Sequence, residues 1–209
     1  MQLSGPFSFV HKNTLIIWHT EEICKTNFYD RNAVLETAKA LVRRGAVSCA
    51  ICKGPFKVHG SYKRHLKDED SERHYGWVVQ VHCDVCDVYP ALIPDFIMPY
   101  KHYKAEVIEM VIVEFEKGKK VEHLDGCAAE ASTMRRWVKQ FSERGAQAVG
   151  WLLSTLRTVF EQHISALKLR NKTILEQLAR LLKAYSFPKS GSIIGRVNII
   201  LTTQNCGFL

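Results

Sequence analysis

Four cysteines stand in two pairs, Cys49-Ala50-Ile51-Cys52 and Cys83-Asp84-Val85-Cys86. The x-x spacing lets both sulfurs of a pair reach one ion about 2.3 Å away, so the two pairs can supply the corners of a tetrahedron. Gly54 suits the tight turn that aims backbone N–H groups at a thiolate. Four thiolates close a site and leave no position for water. The expected cofactor is therefore a structural Zn²⁺ held by Cys49, Cys52, Cys83 and Cys86. A redox dithiol would need a βαβ setting that this stretch lacks, and an iron–sulfur cluster ranks second to zinc. A zinc deaminase needs His-x-Glu upstream and Pro before the pair. Ser48 and His82 stand there instead. His82 neighbours a ligand and is expected to point away from the ion.

The elements that must bring the pairs together read as β structure over 47–90. Phe56–Leu66 and Ser71–His82 flank the acidic turn Lys67-Asp68-Glu69-Asp70. In the second run Tyr75, Trp77, Val79 and Val81 alternate with His74, Gly76, Val78, Gln80 and His82. In the first, Phe56, Val58, Tyr62 and Leu66 share a parity opposite Lys57, His59, Ser61, Lys63 and His65. A hairpin with one apolar and one basic face follows. Upstream, Thr14–Trp18 reads as a strand and 32–44 as a helix capped by Asn32 and ended by Gly45. Pro90, Pro94 and Pro99 punctuate a connection. Helices are expected at 103–117, 132–143, 146–162 and 172–185. Gly118 and Gly145 end the first two; Pro188 and Gly191 break the last. The tail 193–209 contains a β-like run, Val197–Leu201, and ends apolar.

The helix at 132–143 carries the second chemical signal. Met134, Trp137, Val138 and Phe141 form one inward stripe, and Ser132 can cap the start. Arg136 and Lys139 lie opposite that stripe, with Arg135 and Gln140 on its flanks. An exposed first turn of Ser132, Thr133 and Arg suits a recognition helix in a major groove: hydroxyls reach phosphates, Arg reads guanine and Gln reads adenine. Lys57, Lys63 and Arg64 on the hairpin, with His59 and His65, offer a second contact surface.

Composition frames both signals. The 209 residues carry Lys+Arg 29 against Asp+Glu 21, a formal net charge of +8. This surplus favours polyanionic partners, nucleic acid first. Seven cysteines, three of them scattered (Cys24, Cys127, Cys206), do not suit an oxidised secreted scaffold. The N-terminus lacks a signal-peptide pattern, and no stretch reaches the roughly 18 apolar residues of a membrane span. A cytoplasmic location without membrane attachment is expected.

The runs Cys49–Arg64, His82–Cys86, Tyr89–Phe96 and Ser132–Trp137 resemble a bacterial family of unknown function whose members carry a transposase-like zinc ribbon followed by a helix-turn-helix. The resemblance covers roughly 40–145. It implies DNA binding linked to mobile elements. Ribbons of this kind carry Pro after the first cysteine, where this chain has Ala50.

The expected class is α+β: an N-terminal strand and helix (1–46), a zinc ribbon (47–100), a helix-turn-helix (101–145) and a helical region with a tail (146–209). The expected function is double-stranded DNA binding without catalysis, as an accessory, regulator or remnant of a transposase. A homodimer through the C-terminal helices and a transposase or recombinase partner would fit it. A nuclease of the transposase type needs three carboxylates on an RNase-H-like sheet. Beyond residue 145 the acidic residues are Glu161 and Glu176 alone. A protein-interaction adaptor built on the ribbon is the alternative, and a metal-dependent nuclease ranks below it.

Overall fold

The computed structural model of the chain describes residues 15–18, 28–94, 96–124, 126–160, 169–184 and 191–203. Cys24, Cys206, Glu161, Tyr185 and Pro188 lie outside the described residues. The elements run β1 (Leu15–Trp18), α1 (Arg31–Arg43), β2 (Lys57–Lys67), β3 (Arg73–His82), β4 (Ala91–Pro94), α2 (Ala105–Glu116), a 3₁₀ turn (Val121–His123), α3 (Ala131–Phe160), α4 (Ile174–Ala184) and α5 (Ile193–Thr203).

One sheet has the order β1-β4-β3-β2. Strands β2, β3 and β4 pair antiparallel, and β1 adds parallel to β4 in the register Leu15↔Ala91 to Trp18↔Pro94. The expected hairpin is present. Its two-faced pattern is not, because a bulge between Val58 and Gly60 shifts the register. Val58 then pairs with Val81, while Lys63 and His65 pair with Trp77 and Tyr75. Basic and aromatic side chains thus share a face rather than being segregated. The segment expected to be a mere connection contains β4, whose four residues are all buried. Pro94, the last residue of the strand, lies past the β3 ladder, which pairs Ala91 and Leu92.

Helix α1 is capped by Asp30, whose carboxylate accepts from the backbone N–H of Asn32 and Ala33 at 2.8 and 3.3 Å. The cap thus lies two residues before Asn32. Its inward residues, Val34, Ala38 and Leu41, join Phe56, Leu66, Val78, Val79 and Val81 in a sheet-centred core. Phe28 lies over Gly76, where any Cβ would come within 1.7 Å of its ring.

Helices α2 to α5 build a second core around Ile108, Ile112, Trp137, Phe141, Leu152, Leu178, Leu181 and Val197. Two acids on α2 organise it. Glu109 accepts from the Ile194 N–H at 3.0 Å, and Glu116 from the Leu175 N–H at 3.3 Å, so α2 caps the starts of α5 and α4. Thr173 and Glu176 complete a reciprocal capping box on α4. Val107, Ile108, Val111 and Ile112 face inward as expected, but Phe115 is exposed. The β-like run near the end is helical. Ile194, Val197, Asn198 and Leu201 are buried at helical spacing, and Ser192 caps the turn by accepting from the Gly195 N–H. Short apolar runs fit either period, so spacing over so few residues could not separate strand from helix.

The helix expected to stop at Gly145 continues as α3 to Phe160. Gly145 instead lets α4 approach, since a Cβ there would stand 2.6 Å from Ile174 Cγ2. In an exposed helix interior Gly→Ala stabilises by about 1 kcal/mol. Here the sign should reverse. Ile174 is β-branched and stiff, so Gly145→Ala is expected to cost about 1–3 kcal/mol in denaturant unfolding. Pairing it with Ile174→Ala should recover part of the loss. A more stable single variant would show that the two helices do not meet here.

Candidate metal centre and basic surface

The two cysteine pairs fold into matching knuckles. In the first, the Cys49 N–H donates to Gly54 O at 2.9 Å and the Lys53 N–H to Cys49 O at 2.8 Å. In the second, the Cys83 N–H donates to Val88 O at 3.0 Å and the Asp87 N–H to Cys83 O at 2.9 Å. Each turn places a non-glycine residue in the left-handed region, Lys53 at φ 59° and Asp87 at φ 50°. Gly54 itself donates its N–H to Cys52 Sγ at 3.4 Å.

Strands β2 and β3 hold the knuckles together. The four sulfurs lie within 4.8 Å of one another, and Cys52 Sγ stands 3.5 Å from Cys83 Sγ. A disulfide requires about 2.05 Å. An ion held tetrahedrally at about 2.3 Å spaces its sulfurs by about 3.8 Å. The cluster thus fits a metal ion, beside a hairpin compatible with a zinc ribbon. Cys49 and Cys83 are buried, Cys86 half-buried and Cys52 exposed. The Cys52 thiol beside it, then burial and Cys49, push the Cys86 thiol up to about 12, so a bound cation must displace its proton.

His82 does not join the cluster. Its Nδ1 and Nε2 face Asp84 and Asp87, both at 3.1 Å, and its ring stacks on Tyr89 at 4.2 Å. The acidic turn is used structurally: Asp68 accepts from the Glu72 N–H at 2.9 Å and meets His74 Nε2 at 2.5 Å.

The residues expected to contact DNA separate into two groups. Several are already engaged. Arg135 donates twice to Glu122, at 2.6 and 2.9 Å. Ser132 is not the cap of α3; it lies inside the helix and donates to Glu130. Lys139 stands 3.8 Å from Glu143, and Lys57 pairs with Asp84. Lys63 lies over the Trp77 ring. Arg64 is half-buried and donates to Met98 O at 2.8 Å and Lys101 O at 2.7 Å, so its guanidinium shapes the 98–101 turn.

The second group is a stripe. Thr133, Arg136 and Gln140 follow one side of α3, and Arg144 extends it. Lys101 Nζ donates to Gln140 Oε1. Burial, then the positive charges of Arg136 and Arg144, lowers the Lys101 pKa. Lys101 and Arg144 were missed in the sequence. Lys101 sits in a Pro-punctuated loop, and Arg144 stood at the supposed end of a helix.

No helix-turn-helix is seen among the described residues: α2 and α3 are joined by residues 117–130, containing only a 3₁₀ turn. No helix among them is long and apolar enough to cross a membrane. No curated protein and no solved structure matches the chain. A Domain of unknown function (DUF6431) spans residues 49–137, from the first thiol of the metal cluster to the buried Trp137 of α3.

Proposed function

We propose that the chain is a DNA-binding protein, not an enzyme, whose four thiolates hold a structural zinc. The observation that carries this reading is the grouping of Lys101, Arg136 and Arg144, with no ion pair to any of the three among the described residues. Like charges held together gain when a polyanion replaces their separate counterions. The net charge of +8 gives the same sign at long range. The metal would act by position: it would brace the hairpin whose far end, through Arg64, fixes the turn that carries Lys101. The resemblance to transposase-like ribbon proteins makes a mobile element the proposed setting.

Duplex binding should weaken linearly on a log–log plot against salt, with a slope of about −0.9 per neutralised phosphate. Three cations then give about −2.7, and Arg136→Ala/Arg144→Ala should reduce the slope by about 2. Absence of binding at low salt would overturn the reading and favour a protein-interaction adaptor.

A further inference from the structure

Next to the basic stripe lies a cleft of about 330 Å³, between the end of β2, the 100–103 turn and the first turns of α3. This volume falls within the range of small-ligand sites, about 300–1,000 Å³. Three cations, Lys67, Lys101 and Arg136, line it together with His102, against one acid, Glu130. Glu130 already accepts the Ser132 hydroxyl at 3.3 Å.

The rim adds aromatic surface. Tyr100 is 79% exposed and stands in the left-handed region at φ 58°. A bulky residue rarely adopts that conformation unless its surroundings impose it. Here Arg64 clamps the carbonyls on either side of it, Met98 O and Lys101 O. His102 stacks on His65 at 4.2 Å with an 8° interplanar angle, and His65 meets Tyr75, itself 56% exposed. Cations beside exposed ring faces are the means by which proteins hold unstacked bases and their phosphates. A duplex offers its bases only at their edges, so a free ring face beside a phosphate seat suits an unpaired nucleotide.

We propose that this cleft receives an unpaired nucleotide of a single-stranded or locally opened nucleic acid, its base on Tyr100 and its phosphate among Lys67, Lys101 and Arg136. The proposal rests on the nucleic-acid reading above and narrows it. Burial first, then the charges of His65, Arg64, Lys67 and Arg73, lowers the His102 pKa; the surroundings of the cleft are electropositive.

The test uses the full chain with zinc and fluorescence anisotropy on a short single-stranded DNA, the matching RNA and the blunt duplex. Both single strands are expected to bind at least tenfold more tightly than the duplex. Tyr100→Ala should weaken single-strand binding about tenfold, within the range of base–aromatic stacking, and Tyr100→Phe should restore it. The melting temperature should be unchanged, because the ring is exposed. A preference for RNA over DNA, or for DNA over RNA, supports the proposal equally, because the stacking and phosphate contacts are shared. Single-strand binding within twofold of wild type in Tyr100→Ala, with duplex binding intact, overturns the cleft and leaves the DNA reading standing. No binding to any of the three probes overturns both.

Discussion

Stripping the proposed zinc with a chelator, or replacing Cys83 with Ser, should unfold the sheet while much of the helical signal survives. A structural zinc site in a small domain contributes an apparent free energy of about 10–16 kcal/mol at neutral pH. Whole domains are stable by only about 5–15 kcal/mol. The sheet should depend on the ion most directly, because Cys49 and Cys83 belong to its apolar core and each opens a knuckle. Without a cation, the two knuckles lose the ion that would tie their four sulfurs together. The helical core of Ile108, Trp137, Leu152 and Leu178 contains none of these thiols. Far-UV circular dichroism with and without chelator should therefore show a lost sheet transition above a retained helical band. An unchanged spectrum and melting temperature would refute the assignment of the metal to the fold.

The thiol cluster was legible because its signal is local. Two short spacings name the ligands, and the hairpin between them needs only period-two alternation and a turn. The bulge at Val58/Gly60 was not legible, since one extra residue reverses parity without changing composition. Gly145 was misread for a related reason. Glycine is permissive both at helix ends and where two helices touch, and only Ile174, far along the chain, distinguishes the cases. Arg64 and Arg136 show the same limit for function. Both are arginines among basic neighbours, yet Arg64 spends its donors on backbone carbonyls while Arg136 lines an open cleft. Charge is visible in a sequence; the partner that consumes it is not.

Trp137→Ala should produce the largest loss among single substitutions away from the metal. Trp137 is 1% exposed, and its ring meets Tyr103 edge-on at 4.9 Å. Tyr103 in turn shares a hydrogen bond with Ser71 at 3.0 Å and lies under Lys67. The backbone beside it joins the end of β2, where the Lys67 N–H donates to His102 O and the Lys104 N–H to Lys67 O. Trp137 is therefore the apolar side chain through which α3 grips the turn that docks on the hairpin, beside the Gln140–Lys101 hydrogen bond. Removing a buried Trp costs about 3–5 kcal/mol, from lost transfer energy and the cavity left behind. That is a large share of the stability of an ordinary domain. Trp137→Phe keeps a ring against Tyr103 and should lose less. The denaturant midpoint should fall in that order, while the metal content should match that of the wild type, because the four thiols are held from the other core. A Trp137→Ala variant within about 1 kcal/mol of wild type, below the cost of an ordinary core truncation, would mean that the helical core closes without this contact. The turn carrying Tyr100 and Lys101 would then be positioned by Arg64, by the Gln140–Lys101 hydrogen bond and by the backbone bonds at Lys67.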